Sequence, residues 1–356
     1  MDRLSDFEFH ETIGTGAFSR VRLVRHILED DWRAIKVIKK ADMVNFDLAD
    51  RVLNELALLK QLDHFCVVKC LGRLQDATRL YIVFELLGGG DLHHRLRKCG
   101  GAMETAQAQF YVAHVSVALE HLHSQRVLFR GVKPENVCIG ADGYPKLVDF
   151  GLCKQFVGPS SKTRTLCGDP EFVAPEVLLR KAYGVAVDCW ALGVLAFELL
   201  AGCPPFCGGQ PIEIYRLILK GEYSFPTYFD ASPKAFIDRL LTKDPKQRPT
   251  SASARQSSWL SSVPWAAFED RSFPAPFVPD PSRKGSFPFY ADEASDRTTK
   301  MTEVRRRSWH IGSQPRRCND RRIEDATTLR HSQVLSPNDA SRLEDLFDDR
   351  RQTPSR

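Results

Sequence analysis

The sequence predicts an α+β protein with a small β-rich lobe followed by a larger α-helical one. Three observations lead there. Short segments of alternating polarity crowd the first eighty residues, and long apolar helical segments occupy residues 91–260. Between them, Gly88-Gly89-Gly90 ends the last strand-like run.

FEFHETIG, VRLVRHIL and WRAIKVIK each alternate apolar and polar residues, the pattern of short antiparallel strands joined by turns. A helix is expected over about 48–60, where Leu48, Val52, Leu56 and Leu59 fall on one face. LYIVFEL (80–86) reads as a buried strand. In the second lobe, AQAQFYVAHVSVALEHLHSQ and VDCWALGVLAFELLAG read as long helices, the second apolar enough to be buried nearly all round. The expected organisation is a first lobe over 7–87, a second over 88–260, an ordered docking segment over 261–280, and a tail over 281–356. That tail is rich in Arg, Asp and Ser with little periodicity, and reads as mostly disordered.

Composition narrows the function. The 356 residues are 43% hydrophobic and 27% charged, ample for a globular core. No apolar run is long enough to span a membrane, and MDRLSDFEFH has no signal-peptide stretch, so a cytoplasmic location is expected. The net charge of +5 comes mostly from the tail, whose 16 Lys/Arg and 12 Asp/Glu leave 34 against 33 for residues 1–280. A nearly neutral body gives no case for nucleic-acid binding. The ten cysteines include the Cys66/Cys70 and Cys203/Cys207 pairs but no CxxC spacing, so free thiols in a reducing compartment are expected rather than a zinc site.

The chemistry begins at Gly14-Thr15-Gly16-Ala17-Phe18-Ser19-Arg20-Val21, between two expected strands. Glycines there let a turn lie against phosphates with its N–H groups as donors. Ser19 takes the third glycine position, so the fingerprint is incomplete. Ala34-Ile35-Lys36 ends a strand about fifteen residues later, and Glu55 on the next helix is placed to pair with Lys36 and hold it against a phosphate.

With these residues, Phe129-Arg130-Gly131-Val132-Lys133-Pro134-Glu135-Asn136, Asp149-Phe150-Gly151, Ala174-Pro175-Glu176 and Asp188-Cys189-Trp190 complete a set. Over roughly 7–280 the chain resembles a eukaryotic protein kinase, whose fold is bilobal. Within that family it is most similar to the cAMP-dependent kinase group, through Thr165-Leu166-Cys167-Gly168, Gln210-Pro211-Ile212-Glu213-Ile214-Tyr215 and Ala275-Pro276-Phe277-Val278-Pro279. The resemblance implies ATP and Mg²⁺ as cofactors. Lys36, backed by Glu55, would grip the α- and β-phosphates, and Asp149 and Asn136 would hold the metal. Lys133 would stabilise the γ-phosphoryl group. Adenine would lie under Val21 and Ala34, with Gly14 and Gly16 over the phosphates and a hinge at Phe84-Glu85.

One position breaks the pattern. Where the family has an aspartate that orients or accepts the proton of the substrate hydroxyl, this chain has Gly131. General-base help is worth on the order of 10²–10⁴ in rate. A second departure is Asp169, at a position where the family has a threonine bridging the catalytic aspartate and the lysine matching Lys133. Asp169 is therefore expected either to pair with Lys133 or partly to replace the missing base.

Asp91, Glu135 and Glu198 match acids with which basic-residue-preferring family members bind arginines before the target Ser/Thr. Singly each reads as solvated charge; as a set they imply a site for basic peptides, whether substrate or inhibitory tail. Thr165 matches the activation-loop phosphorylation site, with Arg130 as the partner of its phosphate. Arg164 replaces a tryptophan that helps relatives dock a regulatory subunit, which leaves open whether such a subunit or another kinase is the partner. Glu176 and Arg248 are expected to form an ion pair in the second lobe, and Tyr215 to lie on a partner surface. In the tail, Arg305-Arg306-Arg307-Ser308-Trp309 has the form of a basic phosphorylation site at Ser308 or a self-inhibitory segment. The expectation is an ATP-binding, catalytically impaired kinase-fold protein; the alternative is a weak Ser/Thr kinase.

Overall fold

The computed structural model of the chain describes residues 2–46, 48–158 and 161–280. The alternating segments form β1 (Phe7–Thr15), β2 (Ser19–His26) and β3 (Asp31–Lys39), which pair as consecutive antiparallel hairpins. Helices α1 (Lys40–Asn45) and α2 (Ala49–Gln61) then lead to β4 (Cys70–Gln75) and β5 (Arg79–Glu85). These strands complete a five-stranded sheet in the order β1-β2-β3-β5-β4.

The buried face of α2 differs from the expected stripe. Val52, Glu55, Leu58 and Leu59 turn inward, whereas Leu48 and Leu56 are only half-buried. The rotation brings a carboxylate that is 2% exposed into the interior, where it is tolerable only beside a cation. The same rotation lets Leu58, Leu59 and Leu62 join one apolar cluster with Phe129 and Phe150 of the second lobe. That shared cluster fixes α2 against the loops that carry the chemistry.

The second lobe opens with α3 (Leu92–Lys98) and α4 (Thr105–Ser124). Four short strands follow: β6 (Val127–Leu128), β7 (Val137–Ile139), β8 (Pro145–Leu147) and β9 (Lys154–Gln155). β6 pairs with β9 and β7 with β8, so the loops between them are pinned at both ends. Beyond lie α5 (Pro175–Leu178), α6 (Ala186–Ala201), α7 (Pro211–Lys220), α8 (Ala231–Leu240), α9 (Ser251–Ala254) and α10 (Trp265–Glu269). Every residue of α6 from Val187 to Ala201 is buried, as a helix apolar on all sides but for Asp188 and Glu198 requires. Arg248 makes the expected bidentate pair with Glu176, at 2.7 and 3.0 Å, fully inside the lobe.

Tyr215 is not a surface residue. It lies 4% exposed on the inward side of α7 with Ile214 and Ile218, because the strong amphipathicity of that helix turns them all to the core. After α10, Phe273 packs on Phe268, and the Phe277 ring lies 4.1 Å beneath the guanidinium of Arg95 on α3. Among the described residues no helix is long and apolar enough to cross a membrane. The expectations for residues 281–356, Ser308 included, lie outside the described residues.

Candidate active site

The glycine-containing turn is closed by a bond from the Gly16 N–H to the Ser19 carbonyl at 2.9 Å, while Gly14 pairs with Val21 across the hairpin. A Cβ on Gly16 would lie 2.8 Å from the Ser19 hydroxyl, so a side chain there would require the serine to turn away. Next to this turn, Val21, Ala34, Phe84 and Leu86 gather around Ile13 and Leu23 in one apolar cluster. This is a surface suited to a flat heterocycle. Glu85 ends β5, but its carboxylate accepts two bonds from Lys146 Nζ, at 2.7 and 2.8 Å, and one from the Lys69 N–H. With its side chain so engaged and its N–H donated to the Lys69 carbonyl at 3.1 Å, no more than its own carbonyl remains to meet a ligand.

A charge clamp lies between the lobes. Lys36 Nζ donates to Glu55 Oε1 at 2.7 Å and to Asp149 Oδ1 at 3.0 Å. Burial opposes the charge on Lys36, but the Asp149 and Glu55 carboxylates more than offset it and raise its pKa. Burial likewise lifts Glu55 above the usual carboxylate range, with Lys36 opposing. Lys36 holds Asp149 down at about 2, so this carboxylate is an anion at neutral pH. Asp149 has a left-handed backbone (φ 60°), a conformation aspartate tolerates better than most residues. Phe150 anchors it by burying its ring edge-on against Phe129 at 5.3 Å. Arg51, one turn before Glu55, donates to the Gly151 carbonyl, a second link from α2 to this loop.

The β7–β8 hairpin brings Asn136 to the same place. Asn136 immediately precedes β7, and its carbonyl accepts the Val148 N–H at 2.9 Å, one residue before Asp149. Asn136 Nδ2 donates to the Gly131 carbonyl at 2.8 Å, which leaves its side-chain oxygen as the ligand atom it can offer. A carboxylate and an amide oxygen are donors that fit a hard cation such as Mg²⁺.

The loop between β6 and β7 carries both departures. Arg130 has φ 60°, and the strained turn is held by Asp188, which accepts the Phe129 N–H at 2.9 Å and the Arg130 N–H at 2.7 Å. His123 in turn holds Asp188 at 2.9 Å. At Gly131 a Cβ would meet Asn136 Nδ2 at 3.2 Å and the Phe129 ring at 3.4 Å, a close fit with no positive φ. Lys133 Nζ lies 2.6 Å from Asp169 Oδ2. Burial disfavours the Lys133 cation, and Asp169 more than restores it. Asp169 also lines the cavity bounded by Arg130, Gly131 and Val173.

Glu135 and Glu198 line one pocket with Glu171, Asp169, Lys133 and Phe172. Asp91 stands beside this group as the N-cap of α3, accepting the His94 N–H at 2.7 Å, and His93 on the same helix lies 3.9 Å from Glu135. Glu171 escaped sequence reasoning, although its place two residues after Asp169 was a usable signal. Thr165 is exposed. Its carbonyl accepts the Tyr183 hydroxyl at 2.5 Å, and Arg130 donates to that same hydroxyl at 3.3 Å. Lys154, also unforeseen, reaches the Thr163 hydroxyl at 3.2 Å.

A bilobal fold with a glycine turn, a buried lysine clamp and two oxygen donors on adjoining loops defines a nucleotide-dependent phosphotransferase scaffold. Residues 7–260 match the protein kinase domain family, and the chain belongs to it. It is 38% identical over 281 residues to the cAMP-dependent protein kinase catalytic subunit PRKX of Homo sapiens, covering 78% of this chain and 77% of that protein. It is 36% identical over 300 residues to the cAMP-dependent protein kinase catalytic subunit of Dictyostelium discoideum, covering 82% of this chain but only 46% of the relative. The corresponding subunit of Schizosaccharomyces pombe is 36% identical over 303 residues, with 82% and 58% covered. By homology the chain is a protein kinase of the cAMP-dependent type.

Proposed function

We propose that the protein binds Mg·ATP, transfers its γ-phosphoryl group poorly or not at all, and acts chiefly by binding basic peptides or a partner kinase. One observation carries this reading: the nucleotide clamp of Lys36, Glu55 and Asp149 is assembled, whereas residue 131 has no side chain to meet a substrate hydroxyl. Bound Mg·ATP would supply the transferable phosphoryl group and neutralise its charge. The chain's own residues do the rest. Val21 and Ala34 cover the base, Lys36 meets the phosphates while Glu55 prevents its swinging away, and Asp149 and Asn136 offer oxygens to the metal. Lys133 would meet the outer phosphate once drawn from Asp169. Glu135, Glu171 and Glu198 give guanidinium groups a charge-complementary pocket.

A second reading, a weak kinase that uses Asp169 as its base, draws on one observation: Asp169 lines the cavity at Gly131. The 2.6 Å pair with Lys133 counts against it, because a carboxylate held by a cation is a poor proton acceptor. Calorimetry with Mg·ATP, together with fluorescence anisotropy of a labelled Arg-Arg-x-Ala peptide, tests the main reading. Binding of both ligands is expected, with ATP lost in Lys36→Met and peptide lost in Glu135→Gln/Glu198→Gln. Absence of ATP binding by the unaltered protein would overturn it.

A further inference from the structure

The turn that follows Asp149 has more main-chain oxygens than its own backbone can satisfy. Phe150–Leu152 form a single 3₁₀ turn, whose own bond runs from the Cys153 N–H to the Phe150 carbonyl at 3.0 Å. The next three carbonyls each meet a different side chain. Arg51 Nε donates to the Gly151 carbonyl, Arg130 Nε to the Leu152 carbonyl at 2.6 Å, and Asn54 Nδ2 to the Cys153 carbonyl at 2.9 Å. A half-buried backbone oxygen needs a donor, and here all three donors come from elsewhere in the fold.

Two of the three donors stand on α2. Arg51, Asn54 and Glu55 lie three and four positions apart, the spacing of one helix face. The face that sends Glu55 to Lys36 therefore also grips the main chain of the Asp149 loop. The grip is close: a Cβ on Gly151 would lie 3.3 Å from Asp149 Oδ1, 3.5 Å from Glu55 Oε2 and 3.7 Å from Arg51 Nε. It also acts where the backbone is strained, since Asp149 has φ 60° and must be held there. The third donor, Arg130, reaches the loop from the opposite side, and its guanidinium also donates to the Tyr183 hydroxyl at 3.3 Å.

We infer that Arg51 and Asn54 are positioning residues that hang the Asp149 loop from α2, so that the carboxylate offered to the metal and the Lys36–Glu55 pair are set as one unit. The inference rests on the reading of this clamp as a site for Mg·ATP. An outward tilt of α2 would draw Glu55 from Lys36 and break both tethers in the same movement. A loop without the tethers could turn Asp149 away while the Lys36–Glu55 pair stayed closed. Because the donors at Gly151, Leu152 and Cys153 all belong to the chain, the loop is held without a phosphate on Thr165.

The test measures ATP affinity by calorimetry twice, with Mg²⁺ and with EDTA, for the full-length unaltered protein, Arg51→Ala, Asn54→Ala and the double variant. The readout is the ratio of the two affinities, because Asp149 acts through the metal whereas a general loss of structure lowers both. The ratio should fall at least ~10-fold in the double variant and less in each single one, with affinity in EDTA changed by under ~3-fold. Asn54→Ala alters no charge, so a fall there reports the lost bond rather than the field of the Arg51 cation. Thr165→Ala should leave the ratio as it is. An unchanged ratio in both single variants, or equal losses with and without Mg²⁺, would overturn the inference while leaving ATP binding intact. A ratio that falls as far in Thr165→Ala as in the double variant would also overturn it, by making the phosphate the support. No ATP binding by the unaltered protein would overturn the nucleotide reading and this inference together.

Discussion

The clamp between the lobes and the loop beneath it handle charge in opposite ways. At the clamp, one cation meets two carboxylates: Lys36 is shared by Glu55 and Asp149, and Lys36 keeps Asp149 an anion. On the loop, Lys133 and Asp169 close on each other at 2.6 Å with Glu135 also acting on the lysine, and Gly131 adds no side chain. The first places its lysine between two lobes, and the second spends its lysine on a carboxylate of the chain's own. On the proposed function, holding a nucleotide and aligning a hydroxyl rest on these two separate groups of charges, so one task can be lost without the other.

The comparison breaks most readily at its strong side. Lys36→Met leaves the buried Glu55 without its cation, and removing one partner of a buried pair costs about 3–5 kcal/mol. The variant should lose ATP binding by calorimetry and unfold at markedly lower denaturant. Removing Asp188 strikes the weak side. Asp188→Ala strands the Phe129 and Arg130 N–H groups, at a cost of about 1–3 kcal/mol for each buried donor left unmet. Denaturant melts should show the loss, and ATP affinity should fall far less than in Lys36→Met.

A pH dependence separates scaffold from site. His114 is 1% exposed, and burial lowers its pKa from 6.5 to about 4, with the Phe110 carbonyl opposing. A group whose folded pKa is depressed lends stability that is present above its unfolded pKa and lost as pH falls. His114 should therefore cost about 3 kcal/mol between pH 6.5 and 4, and His114→Phe should flatten that slope in melts across the range. The Lys36–Asp149 half of the clamp should hold over the same interval, because Asp149 stays ionised to about 2, whereas Glu55, raised by burial, is the half that weakens as pH falls. The smallest effect concerns the self-satisfied pair. Asp169→Thr removes one partner of a mostly buried pair and should cost about 1–3 kcal/mol, less than Lys36→Met because Glu135 still acts on Lys133. Whatever transfer rate is measurable should not fall in this variant; a fall would favour the relocated base.

The local signals in the sequence were sound where charge and spacing coincide. Lys36 and Glu55 were legible as partners because strand and helix fix their approach, whereas Asp169 was legible as a partner of Lys133 only through the resemblance to the kinase family. What could not be read was the rotation of α2, since Glu55 buries only because Lys36 waits for it across nineteen residues of sequence. β4 was missed because Gly72 and Arg73 dilute its strand pattern. The turning of Glu85 toward Lys146 was equally hidden, for that pair spans 61 residues and no local pattern announces it. Arg51 and Glu171 were recoverable from their offsets to Glu55 and Asp169, whereas the hold of His123 on Asp188 depends on tertiary packing alone.

The most direct test is single-turnover transfer from Mg·ATP to an Arg-Arg-x-Ser peptide, run beside ATP calorimetry, for the unaltered protein and for Gly131→Asp. A Cβ at residue 131 would lie 3.2 Å from Asn136 Nδ2, at an ordinary φ, so the change asks the end of the Asn136 side chain to give by a few tenths of an ångström. Equal ATP affinity, with transfer at least ~10²-fold faster in Gly131→Asp, is the predicted result. Transfer by the unaltered protein as fast as by Gly131→Asp would contradict the account.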